Sequence, residues 1–281
     1  MPLDYLRFLL GADGVRLAVR VAGDPQAPPI VLVHGWASAG SVWAEQLGDA
    51  DLTARHRLVA LDLRGHGESD VPDPADGGYD KPATWADDLA AVLAHVGRPA
   101  VVVGWSYGGL VITDYLRERG SAGLAGIVLV GAITEIGAGR PGGRTGSSWH
   151  GVMRPALSQD PAQAIPALTS LATAMTAEPA DGRDVQRRLG DMLRVPPKVR
   201  AALFRRDLGS AEVLAKVSVP TLIVHGDADT DVDPSTSDYA AGKIPGADLR
   251  WFPGVGHMPF VERRAEFNAA LIEFAGSIAN H

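Results

Sequence analysis

Five short runs built almost entirely from aliphatic residues punctuate the chain: Ile30-Val31-Leu32-Val33, Leu58-Val59-Ala60-Leu61, Val101-Val102-Val103, Ile127-Val128-Leu129-Val130 and Thr221-Leu222-Ile223-Val224. Runs without polar alternation suit strands covered on both faces, and such strands belong to parallel sheets flanked by helices. The segments between them read as helices. Residues 41–47 look helical, and Trp85, Leu89, Val92, Leu93 and Val96 fall at helical spacing, with Thr84 as the expected N-cap and Gly97-Arg98-Pro99 as the stop. A further helix is expected to about residue 119. Alternating β and α units imply a mostly parallel sheet with right-handed crossovers. Residues 15–21 alternate instead, Val15, Leu17, Val19 and Val21 against Arg16, Ala18 and Arg20, which predicts a half-exposed strand near a sheet edge.

The pattern changes after residue 133. Residues 137–146 are glycine-rich and read as a mobile loop, and residues 149–214 read as short helices broken by Pro155, Pro161, Pro166, Pro179 and Pro196-Pro197. The expected organisation is a core domain of residues 1–133 and 215–281 with a helical cap inserted at 134–214. The α/β pattern resumes at Thr221, continues with a strand near residues 249–252, and closes with a helix that places Phe267, Leu271, Phe274 and Ile278 on one face.

At 281 residues, with 46% hydrophobic and 21% charged, the chain is long and apolar enough to bury a sizeable core. A net charge of -7 without a Lys/Arg run argues against a nucleic-acid surface. The absence of cysteine excludes disulfides, a thiolate nucleophile and cysteine-ligated metal. Asp4 and Arg7 interrupt the N-terminal apolar residues, and no apolar run is long enough to cross a bilayer. A cytoplasmic protein with a small-molecule partner is the expectation.

The third run leads into Gly104-Trp105-Ser106-Tyr107-Gly108 and then into a helical pattern. A serine held out on a strained strand-to-helix turn needs almost no side chain two positions before and after it, and Gly104 and Gly108 satisfy that demand. A glycine-rich turn with an incidental serine has the same sequence, so the partners decide. A serine hydroxyl needs a base to take its proton, and the base needs an acid to orient it. Asp227, Asp229, Asp231 and Asp233 follow the fifth run, and Gly254-Val255-Gly256-His257 precedes the last helix. The order Ser, Asp, His is that of one large hydrolase class.

With His34-Gly35-Trp36 after the first run and Asp62-Leu63-Arg64-Gly65-His66-Gly67-Glu68-Ser69 after the second, the chain resembles the α/β-hydrolase superfamily, in its serine esterase, lactonase and cofactor-free haloperoxidase-like branch. The resemblance covers nearly all of the chain outside the insertion. It implies Ser106 as nucleophile, His257 as base, Asp229 as acid through a G-x-x-D pattern, and the backbone amides of Trp36 and Tyr107 as oxyanion donors. Asp227, Asp231 and Asp233 remain rivals with turn-forming roles, and Glu135 is a distant fallback for the acid. The resemblance further implies no cofactor, no metal, no membrane or nucleic-acid partner, and a monomer or homodimer acting on a small ester or lactone. A perhydrolase or haloperoxidase-like activity, or a lyase, oxygenase or binding protein on the same fold, stays open. Serine at the elbow argues against the haloalkane dehalogenase and epoxide hydrolase relatives, which use aspartate there.

His34 reads as shaping the oxyanion loop, and His66 and His225 as structural. His150 is a candidate to reach the pocket from the cap. Trp43 and Trp85 read as core, whereas Trp149, Met153, Leu157, Leu168, Leu171 and Met175 could form an apolar ceiling or simply pack the cap. Two patterns mislead. Gly137-Ala138-Gly139-Arg140-Pro141-Gly142 satisfies G-x-G-x-x-G but lacks a helix start to hold a pyrophosphate, and the aspartate cluster lacks the glycine and terminal glutamate of an EF-hand.

Overall fold

The computed structural model describes residues 5–76 and 78–278; Asp4 and His281 lie outside them. Strands β1 (Tyr5–Leu10), β2 (Arg16–Ala22), β3 (Pro29–Val33), β4 (Arg57–Leu61), β5 (Ala100–Trp105), β6 (Leu124–Val130), β7 (Thr221–Gly226) and β8 (Asp248–Phe252) form a single sheet in the order β1-β2-β4-β3-β5-β6-β7-β8. The strands from β4 to β8 in that order are all parallel, and β1 and β2 join them antiparallel. The five apolar runs are β3 to β7. In β3, β5 and β7 every residue is buried, as continuous apolar composition requires of strands covered on both sides.

The alternating segment lies one place in from the edge. β1, with exposed Leu6, Phe8 and Leu10, is the true edge and carries no period-2 signal that would have announced it. The helix expected at Thr84 starts two residues earlier, at Pro82, with Lys81 at the N-cap and no side-chain cap. Proline at the first helical position presets φ and so moves the start. The closing helix Arg264–Ile278 buries Phe267, Leu271 and Phe274 as its spacing predicts.

Between β6 and β7 the structure has helices and no sheet strand, including Met153–Ala156, Pro161–Ala174, Gly182–Arg194 and Pro197–Ala202. Asp160 and Asp181 cap two of them. Two buried arginines organise this segment. Arg200 donates to the carbonyls of Ala156, Met192 and Val195, tying the C-terminal ends of two helices to its own. Arg206 reaches back to the helix Tyr107–Arg119, where its Nη2 lies 2.6 Å from both carboxylate oxygens of Asp114 and its Nη1 donates to the Tyr107 hydroxyl at 3.1 Å. Both charged side chains of that pair are fully buried. Arg206→Ala therefore strands a carboxylate in the interior and is expected to cost about 3–5 kcal/mol in urea unfolding, whereas Arg206→Met combined with Asp114→Leu should recover most of it. Equal losses in the single and double variants would refute the role of the pair.

The glycine-rich loop is tied down. Thr134 and Glu135 both donate their N–H to Gly142 O, Gly142 N–H donates to Glu135 Oε2, and Arg140 pairs with Asp207. The expected mobility rested on glycine content alone, and these tertiary hydrogen bonds override it. Residues Pro141–Gly143 make only a 3₁₀ turn, so the G-x-G-x-x-G pattern opens no helix.

Candidate active site

Four loops at the carboxyl ends of β3, β5, β7 and β8 meet above the sheet, where the topology of parallel α/β sheets places ligand sites. Ser106 follows β5 directly, with φ 55° and ψ −120°, and the helix Tyr107–Arg119 starts at the next residue. This is a strained conformation for a side-chain-bearing residue. Its backbone is fixed by Ser106 N–H to Val130 O at 3.0 Å and by Gly109 N–H and Ile133 N–H, which both donate to Ser106 O. A Cβ on Gly104 would lie 2.7 Å from Gly108 O, and one on Gly108 would lie 2.6 Å from Val33 O. The turn thus exists because both positions are glycine. Gly35, after β3, passes as closely: a Cβ there would meet Ser106 Cβ at 2.8 Å.

His257 stands on the loop after β8. Its Nδ1 donates to Asp229 Oδ2 at 2.7 Å, its backbone N–H donates to Met175 O, and Trp105 Nε1 donates to His257 O. Asp229, the aspartate that the G-x-x-D pattern favours, is almost fully enclosed. Its Oδ1 accepts from the N–H groups of Asp231 and Val232, and its Oδ2 also accepts from His225 Nε2 at 3.0 Å. Burial works against its ionised form, but the two imidazoles outweigh burial and hold the carboxyl well below the usual carboxylate range. His225 is in turn bonded through Nδ1 to Ser237 Oγ at 2.6 Å. The histidine that reads as structural therefore holds the Asp229 carboxylate, through a turn of the loop that brings residues 225 and 229 face to face. Gly131 makes room for this pair, since a Cβ there would sit 3.2 Å from both Asp229 Oδ2 and His257 Nδ1.

Asp231 lies on the opposite side of the ring, with Oδ2 3.3 Å from His257 Nε2. Burial of the ring works against its charged form, yet the facing carboxylates of Asp229 and Asp231 prevail and raise His257 above the ordinary imidazole value. Of the other rivals, Asp233 accepts from Ser235 N–H, the turn-forming role expected of it, whereas Asp227 accepts from Gly254 N–H and ties its loop to the one after β8. Glu135 is no candidate acid: it accepts from Gly142 N–H, Ser210 N–H and the Tyr239 hydroxyl.

His34 is buried, donates through Nδ1 to Gly35 O at 2.7 Å and accepts Leu63 N–H at Nε2, so it braces the loop that carries Trp36. Burial lowers it to about 4, which keeps the ring neutral. His66 is likewise lowered by burial, to about 3, and its Nδ1 donates to Arg64 O. Both are structural. Trp43 and Trp85 are fully buried core residues.

Ser106, His257 and Asp231 face a small cavity of about 30 Å³, enough for a water or two, that Trp36 and Tyr107 also line. Of the anticipated ceiling, Trp149, Leu171 and Met175 reach it, joined by Met192 and Phe204, which sequence spacing did not single out. Leu168 is buried, Met153 and Leu157 are partly buried against the core, and His150 is exposed; none of these four lines the cavity. Trp36 packs on Trp149 and Phe204 with ring centroids 5.1 and 5.7 Å apart and donates through Nε1 to Arg200 O, so it joins the sheet loops to the helical segment. A larger open groove of about 840 Å³ elsewhere is lined by Arg117, Glu135, Arg140 and Tyr239, but it contains none of the residues around Ser106. The apolar cavity is the better candidate because it brings together a hydroxyl on a strained turn and an imidazole paired with a carboxylate.

The sequence profile of the Alpha/beta hydrolase family matches residues 30–270. The chain is an α/β-hydrolase. Among solved structures it is similar to the esterase RhEst1 from Rhodococcus sp. ECU1013, with 44% identity, a TM-score of 0.92, and coverage of 97% of this chain and 99% of that one. It is also similar to a putative aryl esterase from Burkholderia cenocepacia, at 30% identity and a TM-score of 0.90, covering 99% and 100% of the two chains. The non-heme chloroperoxidase CPO-A1 of Kitasatospora aureofaciens is 30% identical over 275 residues, 93% of this chain and 96% of that protein. This α/β-hydrolase belongs to the esterase and haloperoxidase-like branch. Among its described residues no helix is long and apolar enough to cross a membrane.

Proposed function

We propose that this α/β-hydrolase cleaves a small-molecule carboxylic ester or lactone through an acyl-enzyme on Ser106. Ser106 Oγ attacks the carbonyl carbon while His257 Nε2 takes its proton, and Asp229 holds the ring with Nε2 free to accept. The oxyanion is received by the backbone N–H groups of Trp36 and Tyr107; Tyr107 opens its helix, so its N–H has no acceptor within that helix. His257 then returns the proton to the leaving alkoxide. Water, deprotonated by His257, releases the acid and restores Ser106. The observation that carries this reading is the 2.7 Å bond from His257 to Asp229 beside a serine on a strained elbow, all bordering one cavity.

The helices between β6 and β7 act as a cap in this reading. The cavity they cover is too small for an ester, so they move for substrate to enter, and Trp149, Leu171, Met175, Met192 and Phe204 favour an apolar acyl or aromatic group. The named esterase relatives support ester chemistry. The test is turnover of nitrophenyl esters of graded chain length and lactones of graded ring size. A burst of nitrophenol followed by steady hydrolysis is expected. An inert protein that binds a small molecule tightly would overturn the reading. Similarity to the chloroperoxidase favours a second activity, in which hydrogen peroxide replaces water on the acyl-enzyme and yields a peracid. Halogenation of a reporter phenol only when acetate, peroxide and bromide are all present would detect it.

A further inference from the structure

The proposed mechanism uses one carboxylate on His257, and the structure supplies two. Asp229 holds Nδ1, while Asp231, two residues on, places Oδ2 3.3 Å from Nε2, the nitrogen that has to accept the Ser106 proton. The Asp231 side chain is more than nine-tenths buried and lines the cavity. It is held in place: its N–H donates to Asp229 Oδ1, its carbonyl accepts Gly146 N–H, and its Oδ1 accepts the Ser148 hydroxyl at 3.2 Å. Among the described residues neither Ser106 Oγ nor Asp231 is hydrogen-bonded to His257 Nε2; Asp231 meets the ring as an ion pair.

Resting on the role proposed for His257, we propose that Asp231 is an electrostatic proton latch: its carboxylate, 3.3 Å from Nε2 as an ion pair, keeps the ring in its imidazolium form, and the Nε2 proton has to leave for solvent before Nε2 can take the proton of Ser106. The charge balance favours the latched state, because loss of this proton leaves two bare carboxylates flanking a neutral imidazole. The other charged group acting on the ring is Glu262, whose Oε1 accepts Gly256 N–H; His225 lies behind Asp229, and the Trp105 ring, 5.1 Å away, is uncharged. Burial also raises Asp231, so both partners favour keeping the proton. The acid limb of the pH–rate profile then belongs to the pair. Once open, the same carboxylate faces the imidazolium that forms during acyl transfer. Asp231 is a positioning residue that acts through His257.

Asp231→Asn removes the second carboxylate charge facing the ring. The acid limb of kcat/KM should shift down by about one pH unit, so that the ratio of activity at pH 6 to that at pH 8.5 rises roughly 5–10-fold. Ser148→Ala leaves the carboxylate but removes its hydroxyl donor, and should shift the limb upward by a few tenths of a unit. An unchanged limb in both variants overturns the latch. The imidazole resonances of His257, followed by NMR titration of the full chain, give a readout that needs no turnover. A lower titration midpoint in Asp231→Asn supports the latch even if the protein hydrolyses no ester, and coincident midpoints reject it even if esterase activity is strong.

Discussion

Ser106→Ala is expected to abolish ester turnover by at least about three orders of magnitude while leaving the thermal unfolding profile unchanged. The two halves of this expectation have separate causes. Alanine keeps the Cβ, so the elbow at φ 55° holds the same backbone with the same strain, and the bonds from Ser106 N–H to Val130 O and from Gly109 N–H to Ser106 O do not involve the hydroxyl. What disappears is the atom that forms the acyl-enzyme. The oxyanion donors and the cavity remain, so a residual rate above that of water is expected. The measurement is kcat/KM on a short nitrophenyl ester together with a melting curve; activity within tenfold of the parent would remove Ser106 from the mechanism.

Asp229→Asn should lower kcat by about three to four orders of magnitude at pH 8. The carboxylate accepts from His257 Nδ1 and so keeps the lone pair on Nε2, whereas an amide NH₂ facing Nδ1 favours the tautomer with its proton on Nε2, which cannot accept from Ser106. The substitution also disturbs His225, which donates to the same oxygen. This variant discriminates between the two aspartates that flank the ring. A kcat close to that of the parent would remove Asp229 from the mechanism. A large loss with the latch intact in NMR would keep the roles distinct.

Much of the site was legible because its demands are local. Gly104 is required by the approach of Gly108 O within one strand-turn-helix unit and Gly108 by the approach of Val33 O on β3, and the pair of glycines around the serine leaves a mark in contiguous sequence. The same holds for the loop from Asp62 to Ser69. There Ser69 Oγ donates to Asp62 O and accepts Ala18 N–H, and a Cβ on Gly67 would collide with the Asp62 carboxylate. The structure departs from local preference at two places: Pro82, two residues before Thr84, starts the helix there, and the glycine-rich loop is tied down by Glu135 on Gly142 and by Arg140 on the distant Asp207.

From the sequence alone follow the five buried strands, the parallel α/β architecture, the elbow serine, and an acid and a base on the proper loops. The strands, the architecture and the elbow are matters of composition, period or short-range sterics, whereas the acid and the base are what the resemblance to α/β-hydrolases implies. Only the tertiary structure decides that Asp229 takes Nδ1 while Asp231 faces Nε2, that His225 holds Asp229, and that Arg206 binds the helical segment to Asp114 beneath the elbow. Four aspartates at alternate positions are nearly equivalent as letters. They become different groups when the loop after β7 folds over β8 and gives each carboxylate its own burial, neighbours and direction.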